Sequence, residues 1–323
     1  MGTIVVNASP PPEDSADTGP RVTVEDLGSV YRLLEREPPG LLYHYTSLDG
    51  LKGVLESGSV WATDIAFLND AAEVAHANGL TAHAIEHALR KLEASSARNA
   101  HFADDDGWEE TFYASIREAV VEPRSANVLV TSFSEYGDQL SQWRGYCPPA
   151  AGYALGFDGA ALRDAFRASG MWFAPCIYDE EEQRLQVARL VETSILYALR
   201  WTPRTKLEEE MDIARAIRIF AHEHAPLAAV LKHPRFSEEC EWRAFSSPSP
   251  SRLSMAYRTG RTMLIPYSVI PLGQDVASMP LREIVIGPTT HPELAAAALK
   301  RMLAGRHLSH VAVRNSRSPL RSG

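Results

Sequence analysis

Cysteine is scarce: Cys147, Cys176 and Cys240 are the only three, widely spaced and odd in number. No pair has the close spacing of a zinc or redox motif, and three thiols do not make a disulfide framework. That usage fits a reducing, cytoplasmic compartment. No apolar run is long enough to span a bilayer, so no membrane partner is expected. The N-terminus has no basic stretch followed by an apolar one, so no secretion signal is expected. Positive charge is not in excess either. The formal net charge is -9 and the pI about 5.7, which argues against coating nucleic acid through bulk charge but leaves room for a local basic groove. No internal repeat has solenoid or propeller spacing. Also missing are Gly-x-Gly-x-x-Gly after a strand, the Gly-x-x-x-x-Gly-Lys-Ser/Thr phosphate loop and the Gly-x-Ser-x-Gly elbow. Their absence argues against a Rossmann dinucleotide site, a P-loop and a hydrolase nucleophile elbow.

What is present is an ordinary globular composition, 45% hydrophobic and 23% charged over 323 residues. Residues 1–21, rich in proline and polar side chains, read as a disordered N-terminal arm. Residues 22–315 read as one α+β domain with a mixed sheet core and a helical insertion at about 179–231, and 316–323 as a flexible tail. Helices are expected from Val24 to Leu34 and from Trp108 to Val121. Leu41–Thr46 has the composition of a strand; Ser47 and Gly58 bracket a short helix, and Val60–Thr63 is a second strand. Asn69-Asp70 is placed to cap a long helix carrying His76, His83 and His87, for which a structural or surface role is expected. The acidic run Asp104–Asp106 lacks the alternating ligands of a calcium loop.

The densest chemistry lies in Phe236–Phe245, with three carboxylates, an arginine and three aromatics in ten residues. If its second half is a strand, Glu239, Glu241 and Arg243 share one face, with the carboxylates about 7 Å apart. Glu238 then points the other way. Two further clusters sit at expected strand ends. One is His44-Tyr45-Thr46. The other is Thr131-Ser132-Phe133-Ser134, followed by Gln142-Trp143-Arg144 and Tyr146. Each also has a plain structural reading. His44 can satisfy a buried carbonyl, the serines can bond local amides, and Trp143 and Tyr146 can be core. Strand ends in a mixed sheet are nonetheless where clefts form.

The motifs Tyr43-His44-Tyr45-Thr46, Asn69-Asp70-x-x-Glu73, Ser132-Phe133-Ser134-Glu135, Gln142-Trp143-x-x-Tyr146, Gly152 to Phe157 and Glu239-x-Glu241-Trp242-Arg243 span roughly residues 40–320. In them the chain resembles a bacterial family known only as a domain of unknown function. A looser resemblance is to ADP-ribosyltransferases, whose signature is a histidine or arginine on an early strand, a Ser-x-Ser strand and a later Glu-x-Glu. The central motif here is Ser-Phe-Ser rather than Ser-Thr-Ser. That resemblance implies an ADP-ribosyltransferase-like fold, NAD as co-substrate and a macromolecular acceptor, protein or nucleic acid. It also implies a toxin or phage-defence effector with an antitoxin or regulatory partner. Carried over residue by residue, His44 holds the ribose, Ser132 supports the cleft, Glu241 is the catalytic glutamate and Glu239 helps choose the acceptor. By residue type, Tyr45, Thr46, Ser134 and Trp143 join the NAD-binding set, Trp61, Tyr45 or Trp143 stacks on nicotinamide, and Arg144 pairs with the pyrophosphate. Two other readings stay open. One is a metal-dependent hydrolase or nuclease built from His44, Asp70, Glu239 and Glu241. The other is a non-catalytic binding or regulatory module in which Glu241 pairs with Arg243 or Arg144.

Overall fold

The computed structural model of the chain describes residues 36–68, 71–94, 128–147, 152–199, 220, 222–248, 253–260 and 262–318. The arm at 1–21, the two helices expected at 24–34 and 108–121, Asn69-Asp70 and Asp104–Asp106 lie outside the described residues. Strand β1 (Leu41–Ser47) runs directly into helix α1 (Leu48–Ser57). The Ser47 hydroxyl accepts from the Gly50 amide at 3.1 Å, and Gly58, left-handed at φ 66°, closes the helix by donating its amide to Val54. Strand β2 (Ser59–Asp64) follows, then α2 (Ala71–Ala94), β3 (Leu129–Ser134) and α3 (Leu140–Tyr146). Next come β4 (Gly152–Asp158), α4 (Gly159–Ala168), β5 (Met171–Pro175) and α5 (Glu180–Leu199). A helical segment at 222–230 leads to a 3₁₀ turn (Pro234–Glu239) and β6 (Glu241–Ser246). The chain continues through β7 (Met255–Thr259), β8 (Leu264–Pro271), β9 (Leu281–Ile286), α6 (Pro292–Ala304) and β10 (Ala312–Asn315).

These strands form one mixed, mostly antiparallel sheet in the order β10-β9-β4-β1-β3-β2-β8-β7, with β6 and β5 joined to β3. The pair β9–β10 is parallel. Strand β3 is the branch point. One of its edges is occupied by β6 from Val130↔Phe245 to Ser134↔Glu241. Its other edge is shared: β1 pairs at Tyr43↔Ser134, and β2 at Thr63↔Val130 and Asp64↔Leu129. Thr131, Ser132 and Phe133 have no strand partner on that edge among the described residues, so the sheet forks there.

Alternation sorts each strand between two faces. One face buries Leu42, Phe133, Leu155, Trp242 and Ala244 under α1, α4 and α6. Phe133 is its hub, with ring centroids 5.7 Å from Phe166 and 5.8 Å from Phe173. We call this the phenylalanine face. The opposite face carries Glu241 and Arg243 and is called the charged face. On it, Val130, Ala174 and Phe245 lie under α2, α5 and residues 225–231, and Tyr43, Tyr45, Ala154 and Val285 pack with Trp143 of α3. The helices of the expected insertion therefore share one layer with α2. No helix among the described residues is long and apolar enough to cross a membrane.

Ser316 and Ser318, expected to begin a flexible tail, are instead held on Asp138. Its carboxylate accepts from the Ser316 hydroxyl, from the Arg317 amide at 2.7 Å and from the Ser318 hydroxyl at 3.0 Å. The Trp143 indole donates to the same carboxylate at 2.8 Å.

Candidate functional site

Between the two apolar clusters of the charged face runs a polar seam, formed by Ser132, Ser134, Glu239, Glu241 and Arg243 with Lys232 reaching in. Ser132 pairs in register with Arg243, and Ser134 with Glu241, so these four side chains share the face. Glu241 is buried at 5% exposure and Arg243 at 2%. The guanidinium grips the carboxylate with two bonds, Nε to Oε1 at 2.7 Å and Nη2 to Oε2 at 3.2 Å. Its Nη1 donates to the Ala229 carbonyl at 2.9 Å, tying the helical layer to β6. Lys232 Nζ bonds the Glu241 carboxylate and also Glu239 Oε2, the latter at 2.7 Å. The Tyr178 hydroxyl accepts from the Glu241 amide at 2.9 Å.

The result is two carboxylates and two cations with no formal net charge. Burial alone pushes the Glu241 carboxyl pKa up; Arg243 and Lys232 outweigh it and hold the group at about 2. Glu241 is thus a fixed anion with its oxygens already bonded. Glu239 is the more open member, and the exposed Tyr146 hydroxyl stands 3.4 Å from its Oε2.

The expectation that Glu239 and Glu241 share a strand face is corrected. The strand starts only at Glu241, and Glu239 closes the 3₁₀ turn before it. Cys240 between them is left-handed, at φ 41° and ψ 54°. A non-glycine residue there is uncommon, and the bend brings both carboxylates to one lysine. Alternation consequently does not govern Glu238, which is exposed and whose carbonyl accepts from the Gln139 amide group.

His44 is corrected more sharply. Pairing of Tyr43 with Ser134 puts Tyr43 on the charged face, so His44 lies on the phenylalanine face, opposite Glu241. Its ring packs 5.5 Å from that of Phe133. Its Nδ1 contacts the Ser132 carbonyl at 3.0 Å, inside the fork of the sheet. Burial lowers its pKa, partly opposed by that contact, so the neutral form is favoured. His44, Ser132 and Glu241 thus lie on three neighbouring strands, but His44 and Glu241 do not converge on one face.

Tyr45 and Trp143 are buried and pack edge to face at 4.7 Å, closed to a nicotinamide ring. The Tyr45 hydroxyl donates to the Tyr136 carbonyl and accepts from the Gln139 amide, positioning the loop after β3. Thr46 is half-buried against the start of α1, where a Cβ on Gly50 would lie 1.9 Å from its hydroxyl oxygen. Ser134 donates to the Glu239 carbonyl at 2.8 Å, so it supports the turn. Arg144 is exposed at the end of α3. Of the three rings expected to stack on a ligand, Trp61 alone is open, at 48% exposure.

For the metal reading, Asp70 lies outside the described residues, and His44 and Glu241 sit on opposite sheet faces. Both glutamates are occupied by Lys232. Among the described residues no group of three or more His, Cys, Asp and Glu side chains is placed to hold an ion.

Sequence reasoning missed Lys232, Tyr178 and Asp138. A lysine ending the apolar run Pro226–Leu231, seven and nine residues before two glutamates, was the visible signal. A family model described as "Protein of unknown function (DUF2971)" matches residues 142–244. That span runs from α3 into β6 and takes in Lys232, both glutamates and Arg243. No curated protein and no solved structure matches the chain.

Proposed function

We propose that the chain transfers ADP-ribose from NAD to a macromolecular acceptor, with the polar seam and the adjoining fork as its site. The observation that supports this reading is the order of the central strands. β1, β3 and β6 are neighbours and carry His44, Ser132 and Glu241, with His44 at the fork on one face and Ser132 and Glu241 in the seam on the other. Crevices where neighbouring strands diverge are common ligand sites. Cleaving the bond from ribose to nicotinamide develops positive charge on the sugar, and carboxylates fixed nearby stabilise it. In this proposal Glu239 is the carboxylate that meets the ribose, with Tyr146 beside it. Glu241 acts through Lys232, holding the cation that orients Glu239.

The test is incubation of the full chain with NAD labelled in its adenylate and with a cell extract. Transfer of label, or release of nicotinamide, is the expected result. Glu239→Gln, which changes the carboxylate with fewer bonds, should reduce it at least tenfold while the fold survives. Neither transfer nor nicotinamide release by the folded wild-type chain overturns the reading.

One observation favours a second reading, a non-catalytic regulatory module. Both glutamates are bonded by Lys232, and Glu241 is gripped by Arg243 as well. Under it the quartet is an internal clamp between the helical layer and β6. Glu239→Gln would then alter stability alone.

A further inference from the structure

The charged face continues beyond β3 onto β2, β8 and β7, where the described helices no longer share its apolar cluster. The cluster that buries Val130 and Phe245 contains no residue of β2, β7 or β8. Register places Trp61 opposite Val269, Thr63 opposite Tyr267, and Arg258 opposite Ile265, so these six side chains share that face. Trp61 is 48% exposed and Val269 46%. The Trp61 and Tyr267 rings lie 4.5 Å apart, tilted by 36°. The Arg258 guanidinium carbon stands 5.8 Å from the Trp61 centroid. Arg258 Nη2 donates to the Thr63 hydroxyl at 3.2 Å, its buried Nε has no hydrogen-bond partner, and among the described residues no carboxylate pairs with the side chain.

We propose that this face binds single-stranded nucleic acid, with Trp61 and Tyr267 stacking on bases and Arg258 meeting the backbone. The argument from charge is local. Between Ala244 and Gln274 the chain has three arginines, Arg252, Arg258 and Arg261, and no carboxylate, within a protein of net charge -9. An anionic partner fits that stretch, whereas a second copy of the same surface would bring arginine against arginine. A half-exposed Trp61 against a partly buried Tyr267, beside a guanidinium with no carboxylate partner among the described residues, matches the way single strands are held, by stacking plus a cation that follows the phosphates. A peptide strand added along β7 would use backbone groups and leave both the rings and Arg258 without a role. The surface lies apart from the seam, and the inference does not rest on the transferase reading.

Fluorescence anisotropy of the full chain with labelled single-stranded DNA and RNA of about 20 nucleotides tests this, since site sizes of this order are usual. Binding that weakens as salt rises is expected. Trp61→Ala should weaken it about tenfold. Arg258→Gln should weaken it and reduce the salt slope by about one. An abasic strand of equal length should bind less tightly than the base-bearing one. Thermal melts show whether each variant folds. Val269→Glu, which removes no ring and adds a repelling charge, serves if Trp61→Ala does not fold. Three outcomes overturn the proposal: no binding of either oligonucleotide at low salt, unchanged affinity in the folded variants, or abasic and base-bearing strands bound alike. Preferential capture of an acidic peptide over the oligonucleotides also overturns it and assigns the face to protein.

Discussion

At the Glu241 end of the charged face every charge is buried and answered. Lys232, Glu239, Glu241 and Arg243 close on one another beneath the helical layer. At the Trp61 end of the same face the apolar cluster under the described helices has no β2, β7 or β8 member, and the guanidinium of Arg258 has a hydroxyl and a ring for company. Each end holds an arginine, and the two differ in whether described carboxylates and helices close over it. A covered charge must find its partner within the protein, because desolvation is otherwise too costly. An uncovered one is free to meet something else. The first arrangement ties the helical layer to β6, and the second is the one proposed to meet a partner.

The comparison breaks most visibly if Arg243→Met is made. That change removes both bonds to Glu241 and the tie to the Ala229 carbonyl. A loss of about 3–5 kcal/mol is expected, as for other broken buried pairs, and urea unfolding measures it. Lys232→Met should cost slightly less, about 3 kcal/mol, because Arg243 still answers one carboxylate. Adding Glu239→Gln to Lys232→Met should recover part of that loss. If either single variant is as stable as wild type, the quartet is not a clamp.

Acid sharpens the same point. His224 is buried and neutral, its pKa pushed down to about 4 by burial. The unfolded imidazole takes up its proton near 6.5, so stability should begin to fall as pH drops through 6.5 toward 4. Glu241, depressed from 4.5 to about 2, contributes its full share above about 4.5 and loses it as pH falls toward 2. Unfolding followed across that range should show two successive losses, and Glu241→Gln should abolish the lower one.

Smaller effects belong to open regions. Asp138→Asn keeps the shape of the group that holds Ser316–Ser318 but removes its charge; about 1–2 kcal/mol is expected, read as earlier proteolysis at the C-terminus. Trp61→Ala should change stability by less than about 1 kcal/mol. A drop several times larger would mean that the ring is structural and the Trp61 end resembles the Glu241 end.

Much of the local structure was legible. Ser47 and Gly58 bracket α1 because a side-chain acceptor and a residue free to adopt positive φ are what helix ends require. The alternation that separated His44 and Thr46 from Tyr43 and Tyr45 also holds, as the register shows. Other features had no local signal. Cys240 adopts a left-handed conformation that glycine or asparagine would have announced. Lys232 stands two residues beyond the helical segment at 222–230 and reaches carboxylates in the next two elements, a contact that periodicity within one element does not contain.

The sequence by itself determined most of the described strands and helices but not β7 or the start of β6, which residues share a face within a strand, and that carboxylates, arginine and aromatics crowd around Glu241. The tertiary structure decided which faces meet. Side chains alternate with a period of two, so each strand offers two ways to face its neighbour, and pairing between segments far apart in the chain selects one. That selection turned His44 away from Glu241, closed Lys232 and Arg243 over the carboxylate, and left Trp61 half-exposed beside Arg258.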